Sequence, residues 1–194
     1  MSVFILGGKA KGQEIHLPAK INFRPTSVML RRKLFDSKQN WEGLTFIDLC
    51  AGSGVMGWEA LSRGAGSIIL NDSSYQQQKI LQHVFENWVD HHPEDSSKVK
   101  ISHLDVLKFF ELLEITPGTW LFFDPPYHDE KLYQKFVQIL LTKSFPASSG
   151  VVIEFEQKKN CKLPWMDELE KFRSNKVSRE LISSDRKLCL IEIK

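Results

Sequence analysis

Leu44-Thr45-Phe46-Ile47-Asp48-Leu49-Cys50-Ala51-Gly52-Ser53-Gly54-Val55-Met56-Gly57 joins an apolar run ending in an acid to a turn built on glycine. The run reads as a short buried strand. The residues that follow, through Trp58, Ala60 and Leu61, read as a helix closed by Gly64. The chain then repeats this unit. Gly66 to Leu70 predicts a second strand ending at Asn71-Asp72, and Tyr75 to Val89 a helix with Ile80, Leu81, Val84, Phe85 and Trp88 on one face. Asp90 to Lys98 reads as a polar loop, Val99 to His103 as a third strand ending near Asp105, and Val106 to Leu113 as a short helix. Trp120 to Asp124 is the fourth strand, with Leu132, Phe136, Ile139 and Leu140 marking the helix after it. Gly150 to Phe155 is the fifth. Val177 to Ile182 and Leu188 to Ile193 close the chain as an antiparallel pair around Ser183-Ser184-Asp185-Arg186. Strand–helix alternation ending in a hairpin predicts an α/β domain with a seven-stranded, mostly parallel, doubly wound sheet.

In such sheets ligands bind beyond the carboxyl ends of the strands. The fourth strand ends in Phe122-Phe123-Asp124-Pro125-Pro126-Tyr127. Neither proline can donate to a sheet ladder, and proline stiffens the residue before it, so the strand stops near Asp124 in a rigid turn. The turn presents a carboxylate, a fixed carbonyl and an aromatic ring together. A planar heterocycle with an exocyclic amino group suits that set. Asp124 and the Pro125 carbonyl would accept its two hydrogens and leave the nitrogen lone pair aimed at an electrophile. Tyr127 would stack on the ring, worth roughly 1–3 kcal/mol per base.

The electrophile's site lies at the glycine turn. Gly52, Gly54 and Gly57 form a G-x-G-x-x-G between strand and helix, with Asp72 twenty residues beyond Gly52. Alone this is also a dinucleotide-binding pattern. Asp48 at the end of strand one favours a cationic ligand, Asp72 suits a ribose diol, and Asp105 is placed to meet an adenine amino group. A nucleoside with a cationic amino-acid tail and no phosphate fits this acidic edge better than a dinucleotide does.

The chain has 194 residues, 42% hydrophobic and 26% charged, enough for one α/β domain. Its net charge of +2 is unevenly placed: Lys9, Lys11, Lys20, Arg24, Arg31, Arg32, Lys33 and Lys38 precede residue 40, against Glu14 and Asp36. That segment, residues 1–40, reads as a β-hairpin (Val3 to Leu6, Gln13 to Leu17) with a basic glycine turn. Arg24-Pro25-Thr26 then opens a helix whose stripe is Leu30, Leu34 and Phe35, with Met29 on it or at its border. A basic extension on a near-neutral body, residues 41–194, predicts a polyanionic partner. Cys50, Cys161 and Cys189 have no metal-ligand spacing and read as reduced thiols, and His83, His91, His92 and His103 have none either, so no metal is expected. No apolar run approaches the ~20 residues of a membrane span, and no signal-peptide core stands at the start. A soluble cytoplasmic monomer is the expectation.

The chain resembles class I S-adenosylmethionine-dependent methyltransferases, and more narrowly the bacterial 16S ribosomal RNA guanine-N2 methyltransferase (RsmD-like) family. The resemblance runs from Gly7 nearly to the C-terminus. It rests on Gly7-Gly8-Lys9 with Gly12, Arg24-Pro25-Thr26, Leu34-Phe35, Asp48 through Gly54 with Gly57, Glu59 through Ala65, Asp105 and Asp124-Pro125-Pro126-Tyr127. It implies a Rossmann-like class I methyltransferase fold, and S-adenosylmethionine held by Asp48, Ala51, Gly52, Ser53, Gly54, Gly57, Asp72 and Asp105. It also implies catalysis at Asp124, Pro125, Pro126 and Tyr127, with ribosomal RNA or a small-subunit particle as partner. Lys9, Lys11, Arg24, Arg31 and Arg32 are then expected to face RNA. Val28, Met29 and Arg32 stand where the family usually carries acids and an arginine, and Leu70 where a glutamate is common. Asp72 is left as the ribose ligand. The rival readings are an adenine-N6 DNA methyltransferase, which would need a larger recognition module, an NAD-dependent oxidoreductase and a non-catalytic RNA-binding protein.

Overall fold

The computed structural model describes residues 2–17, 27–38, 40–156, 163–174, 176–183 and 186–193. The chain opens with a two-stranded antiparallel hairpin, β1 (Ser2–Phe4) and β2 (Glu14–His16), and a helix, α1 (Val28–Ser37), capped by the Ser27 hydroxyl, which accepts from Leu30 N–H. The elements that follow are β3 (Thr45–Asp48), α2 (Val55–Ser62), β4 (Ser67–Asn71), α3 (Tyr75–His91), β5 (Val99–Ser102), α4 (Val106–Leu112), β6 (Thr119–Phe123), α5 (Glu130–Thr142), β7 (Gly150–Glu156), α6 (Met166–Arg173), β8 (Val177–Ser183) and β9 (Arg186–Glu192). The main sheet has seven strands in the order β5-β4-β3-β6-β7-β9-β8. Its first five strands run parallel, and β9 lies antiparallel between β7 and β8. The strand order reverses between β3 and β6, because β3 leads away to β4 on its other side.

The predicted fold is borne out, strand for strand. Both faces of the sheet are covered, which explains why β6 (Thr-Trp-Leu-Phe-Phe) is buried at every position. One core contains Phe46, Ile68, Trp120, Phe122 and Val152 from the sheet, under α1, α2 and α3; the other contains Ile47, Leu121, Phe123, Val151 and Ile153, under α4, α5 and α6. Helix α6 is an addition to the sequence reading. Its signals are Pro164 just ahead of it, apolar Trp165, Leu169 and Phe172 at helical spacing, and acids in its first turn with bases in its last. The loop expected over Asp90 to Lys98 contains a 3-10 turn, Pro93–Lys98.

The N-terminal segment does not stand off from the body. Val3, Ile5, Ile15, Leu30, Leu34 and Phe35 are buried in the same core as Trp41, Phe46 and Trp58. The glycine turn of the hairpin is clamped on the C-terminal end of α2. Lys9 N–H donates to the Ser62 carbonyl at 2.8 Å, Ala10 N–H to the Ser62 hydroxyl at 2.9 Å, and that hydroxyl to the Gly7 carbonyl at 2.6 Å. Gly8 has φ +78°, and a Cβ there would fall inside the Ser62 carbonyl. Beneath the clamp, the fully buried Glu59 carboxylate accepts from Leu6 N–H and from Arg63 Nε, each at 2.7 Å. Met29, expected on the helix stripe or at its border, is exposed beside Val28, because the buried stripe of α1 is completed by Arg31.

Gly8→Ala is therefore expected to destabilise the fold by about 2–4 kcal/mol through left-handed strain and overpacking. A thermal melt should show Tm lower by roughly 5–10 °C.

Candidate active site

Two turns meet where the strand order reverses. At the end of β3, Leu49 N–H donates to the Phe122 carbonyl of β6 at 2.9 Å, and the chain then bends through Gly52 (φ +53°) and Gly54 (φ +73°) into α2. Both glycines hold left-handed conformations that a side chain would strain. Asp72, just beyond β4, braces the bend: one carboxylate oxygen accepts from Gly52 N–H and the other from Ser74 N–H, each at 2.9 Å. The next residue back, Asn71, is fully buried. Its amide donates to the carbonyls of Leu49 and Leu104 and accepts from Leu104 N–H, all at 3.1 Å. Asn71 thus ties together the turns that follow three strands.

The Asp124-Pro125-Pro126-Tyr127 turn leaves β6 alongside. The Pro126 carbonyl accepts from Asp129 N–H at 3.0 Å, and Asp129 caps α5, which fixes the turn at its far end. Between the two turns lies a cavity of about 590 Å³, within the size range of small-molecule sites. Asp48, Ala51, Gly52, Ser53 and Asp72 line one side. Asp124, Pro125, Pro126 and Tyr127 line the other.

The remaining expected ligands sit differently. Gly54 shapes the bend without reaching the cavity, and a Cβ on it would crowd Trp58, Leu81 and Leu70. Gly57 lies inside α2, where a Cβ would run into Leu70 of β4, so the third glycine of the motif serves helix–strand packing. Asp105 caps α4, accepting from Leu107 and Lys108 N–H at 3.0 Å, and its neighbour Val106 is the one that lines the cavity. Glu154 and Arg186, to which the sequence reading gave no role, stand against Tyr127. The Tyr127 hydroxyl donates to Glu154 Oε1 at 2.8 Å, and Arg186 lines the cavity.

The basic residues also divide. Arg31, expected to face RNA, is buried: its guanidinium donates to the Phe4 carbonyl at 2.6 Å, and its Nε lies 3.9 Å from Glu59. That expectation fails because the helical stripe of α1 turns position 31 toward the hairpin. The Lys9 ammonium is held by Glu94 at 2.6 Å and by the buried Asp95 at 2.7 Å. Lys11 and Arg32 are exposed, and Arg24 lies outside the described residues, as do Pro25, Thr26 and Cys161. Among the described residues no His, Cys, Asp and Glu cluster could hold a metal ion, and no helix is long and apolar enough to cross a membrane.

Electrostatically the cavity is an acid trap. Asp48 is 1% exposed, and burial lifts its carboxyl to about 8; the Asp72 and Glu154 carboxylates push the same way, against a hydrogen bond from Cys50 N–H. Its Oδ1 has no hydrogen-bond partner among the described residues. A buried carboxylate oxygen beside a cavity is what an ammonium-bearing ligand needs.

The cleft opens at the reversal point of this seven-stranded sheet, whose fold is the Rossmann-like one of class I methyltransferases. The chain belongs to the RsmD-like methyltransferases: the family model named Conserved hypothetical protein 95 matches residues 3–183. Over 165 residues the chain is 28% identical to ribosomal RNA small subunit methyltransferase D of Buchnera aphidicola subsp. Acyrthosiphon pisum, covering 84% of this chain and 82% of that one. Over 154 residues it is 25% identical to the protein of the same name from Escherichia coli K12, covering 76% and 71%. Among solved structures, yhhF of Escherichia coli, assigned as a methyltransferase, is similar with a TM-score of 0.76 at 20% identity, over 100% of this chain and 99% of that one. SMU.776, assigned likewise and solved with S-adenosylhomocysteine, has a TM-score of 0.62 at 15% identity, over 84% of this chain and 48% of that one.

The Asp48 carboxyl gives a pH signature. The folded protein keeps its proton up to about pH 8, whereas the unfolded chain releases it near pH 4. The associated stability is complete below the lower value and is lost as pH rises through the higher one. Without added ligand, Asp48→Asn is expected to lose less stability than the parent between pH 5 and pH 8.5, by about 1 kcal/mol or more, in urea titrations.

Proposed function

We propose that the protein transfers a methyl group from S-adenosylmethionine to the exocyclic N2 amine of a guanine in small-subunit ribosomal RNA. The observation that carries this reading is that the glycine turn after β3 and the Asp124–Tyr127 turn after β6 line one cavity. The relatives named ribosomal RNA small subunit methyltransferase D support ribosomal RNA as the substrate. The fold shared with a protein solved with S-adenosylhomocysteine supports the donor.

The residues present fit that donor. Asp48, with its partnerless buried oxygen, suits the ammonium of the amino-acid end, Asp72 the ribose diol, and Val106 the adenine end. When bound, S-adenosylmethionine supplies an electrophilic methyl on a sulfonium. The protein's own work is orientation. Asp124 and the Pro125 carbonyl accept the two hydrogens of the amine and turn its lone pair toward the donor side of the cavity. The two prolines hold that pair of acceptors in one geometry. Tyr127 offers its ring to the base, which leaves its stack at a cost of a few kcal/mol, least for an unpaired nucleotide. Asp124 takes the proton released, or passes it to solvent.

Asp124→Ala is expected to lower methyl incorporation into small-subunit RNA by about 10²–10⁴-fold. Its affinity for S-adenosylhomocysteine should stay within about threefold of the parent by calorimetry, and loss of that affinity would remove Asp124 from the acceptor role. Mapping methylated nucleotides in small-subunit RNA from cells with and without the gene tests the substrate. An N2-methylguanine absent only from the deletion strain is expected, and an unchanged map would overturn the assignment.

A further inference from the structure

We propose that Glu154 and Arg186 are positioning residues that set the plane of the Tyr127 ring against the target base, a role that rests on the transfer reaction proposed above. Strand alternation brings them together. Glu154 shares a face of β7 with Val152, and Arg186 shares a face of β9 with Leu188 and Leu190; these three apolar residues belong to one core. The register pairs Glu154 with Leu188 and Glu156 with Arg186, so Glu154 and Arg186 are diagonal neighbours on that face. Arg186 Nη1 lies 3.5 Å from Glu154 Oε1, the same oxygen that accepts the Tyr127 hydroxyl at 2.8 Å. The Arg186 guanidinium stands over the Tyr127 ring, 5.5 Å from its centroid. A hydrogen bond at the ring's tip and a cation on one face together fix its tilt and its rotation.

The arrangement is built into the sheet. Glu154 is 0% exposed and Arg186 5% exposed, and the Glu154 carbonyl also accepts the Tyr133 hydroxyl at 2.8 Å. A buried ion pair is a poor way to gain stability, since apolar residues of similar size serve as well or better. Packing therefore gives no reason for this one, whereas the cavity beside it does. The phenol is not there as a base: burial, and then the carboxylates of Asp124 and Glu154, raise its pKa far above the ordinary tyrosine value, so it stays a donor. What remains for Tyr127 to offer is its ring, with Arg186 on one face and the base on the other. Holding that ring before the base arrives removes freedom that binding would otherwise have to freeze.

The test uses Tyr127→Phe, which keeps the ring and removes the anchor, Glu154→Leu, which removes the acceptor at similar size, and the double variant. The substrate is small-subunit particles from cells deleted for the gene. Each single variant is expected to lower the single-turnover methylation rate at saturating particle about tenfold, with S-adenosylhomocysteine affinity within twofold of the parent. The double variant should be no slower than the worse single by more than twofold, because both changes cut one linkage. Single variants within twofold of the parent rate would overturn the proposal, as would multiplicative losses or parallel loss of S-adenosylhomocysteine binding. An inactive parent protein would sink the transfer reading itself, whereas an active parent with a dead Asp124→Ala and unaffected Tyr127 and Glu154 variants would sink only this one.

Discussion

A single main-chain hydrogen bond, from Leu49 N–H to the Phe122 carbonyl, is the last rung between the two strands on which the site depends. It continues a parallel ladder in which Asp48 lies opposite Phe122, so Cys50 and Asp124 each stand two residues past the same rung. The chain leaves β3 toward β4 and β5, then crosses back to β6 on the other side of β3 and runs on to β7, so the connections after β3 and β6 lead opposite ways and leave a gap between the two exits. That divergence opens the cavity between the glycine bend and the Asp124–Tyr127 turn. One register slip in β6 would turn its side chains to the other face and carry the acid away from the glycine bend.

Carboxylates in the cleft do two kinds of work, and burial decides which. Asp72 uses both oxygens to brace Gly52 and Ser74 yet still lines the cavity, so the group that shapes the bend is also offered to a ligand. Asp48 is too deeply buried to be comfortably charged when the cleft is empty. A bound ammonium would reverse that, drawing the proton off as it arrives. Glu154 is buried with a phenol and a guanidinium against it, a compensated pair at the cleft wall.

The sheet was legible because buried parallel strands are continuous apolar runs, and these differ plainly from the amphipathic helices between them. Asp48, Asp72, Asp124 and Tyr127 were legible because strand ends, glycines and prolines mark turns. Other roles depend on contacts between distant segments. Arg31 reads as surface charge from its neighbours Arg32 and Lys33, but Phe4 and Glu59 take it inward. Gly57 reads as a ligand-binding glycine, while the limit on it comes from Leu70 across the helix–strand contact. Glu154 and Arg186 are 32 positions apart, and only the antiparallel insertion of β9 beside β7 makes them neighbours. Asn71 looks like an ordinary strand terminus until Leu49 and Leu104 are seen on its amide.

The hairpin clamp has a mechanical consequence. Helix α2 has only eight residues, so it is a strut about 12 Å long. One end carries the hairpin through Ser62, and the other is the bend that lines the cleft through Val55 and Met56. Because α2 is buried along its whole length, it has little room to flex. The basic turn at Lys9 to Lys11 is thus joined to the cavity wall at Val55 and Met56 by a single short element.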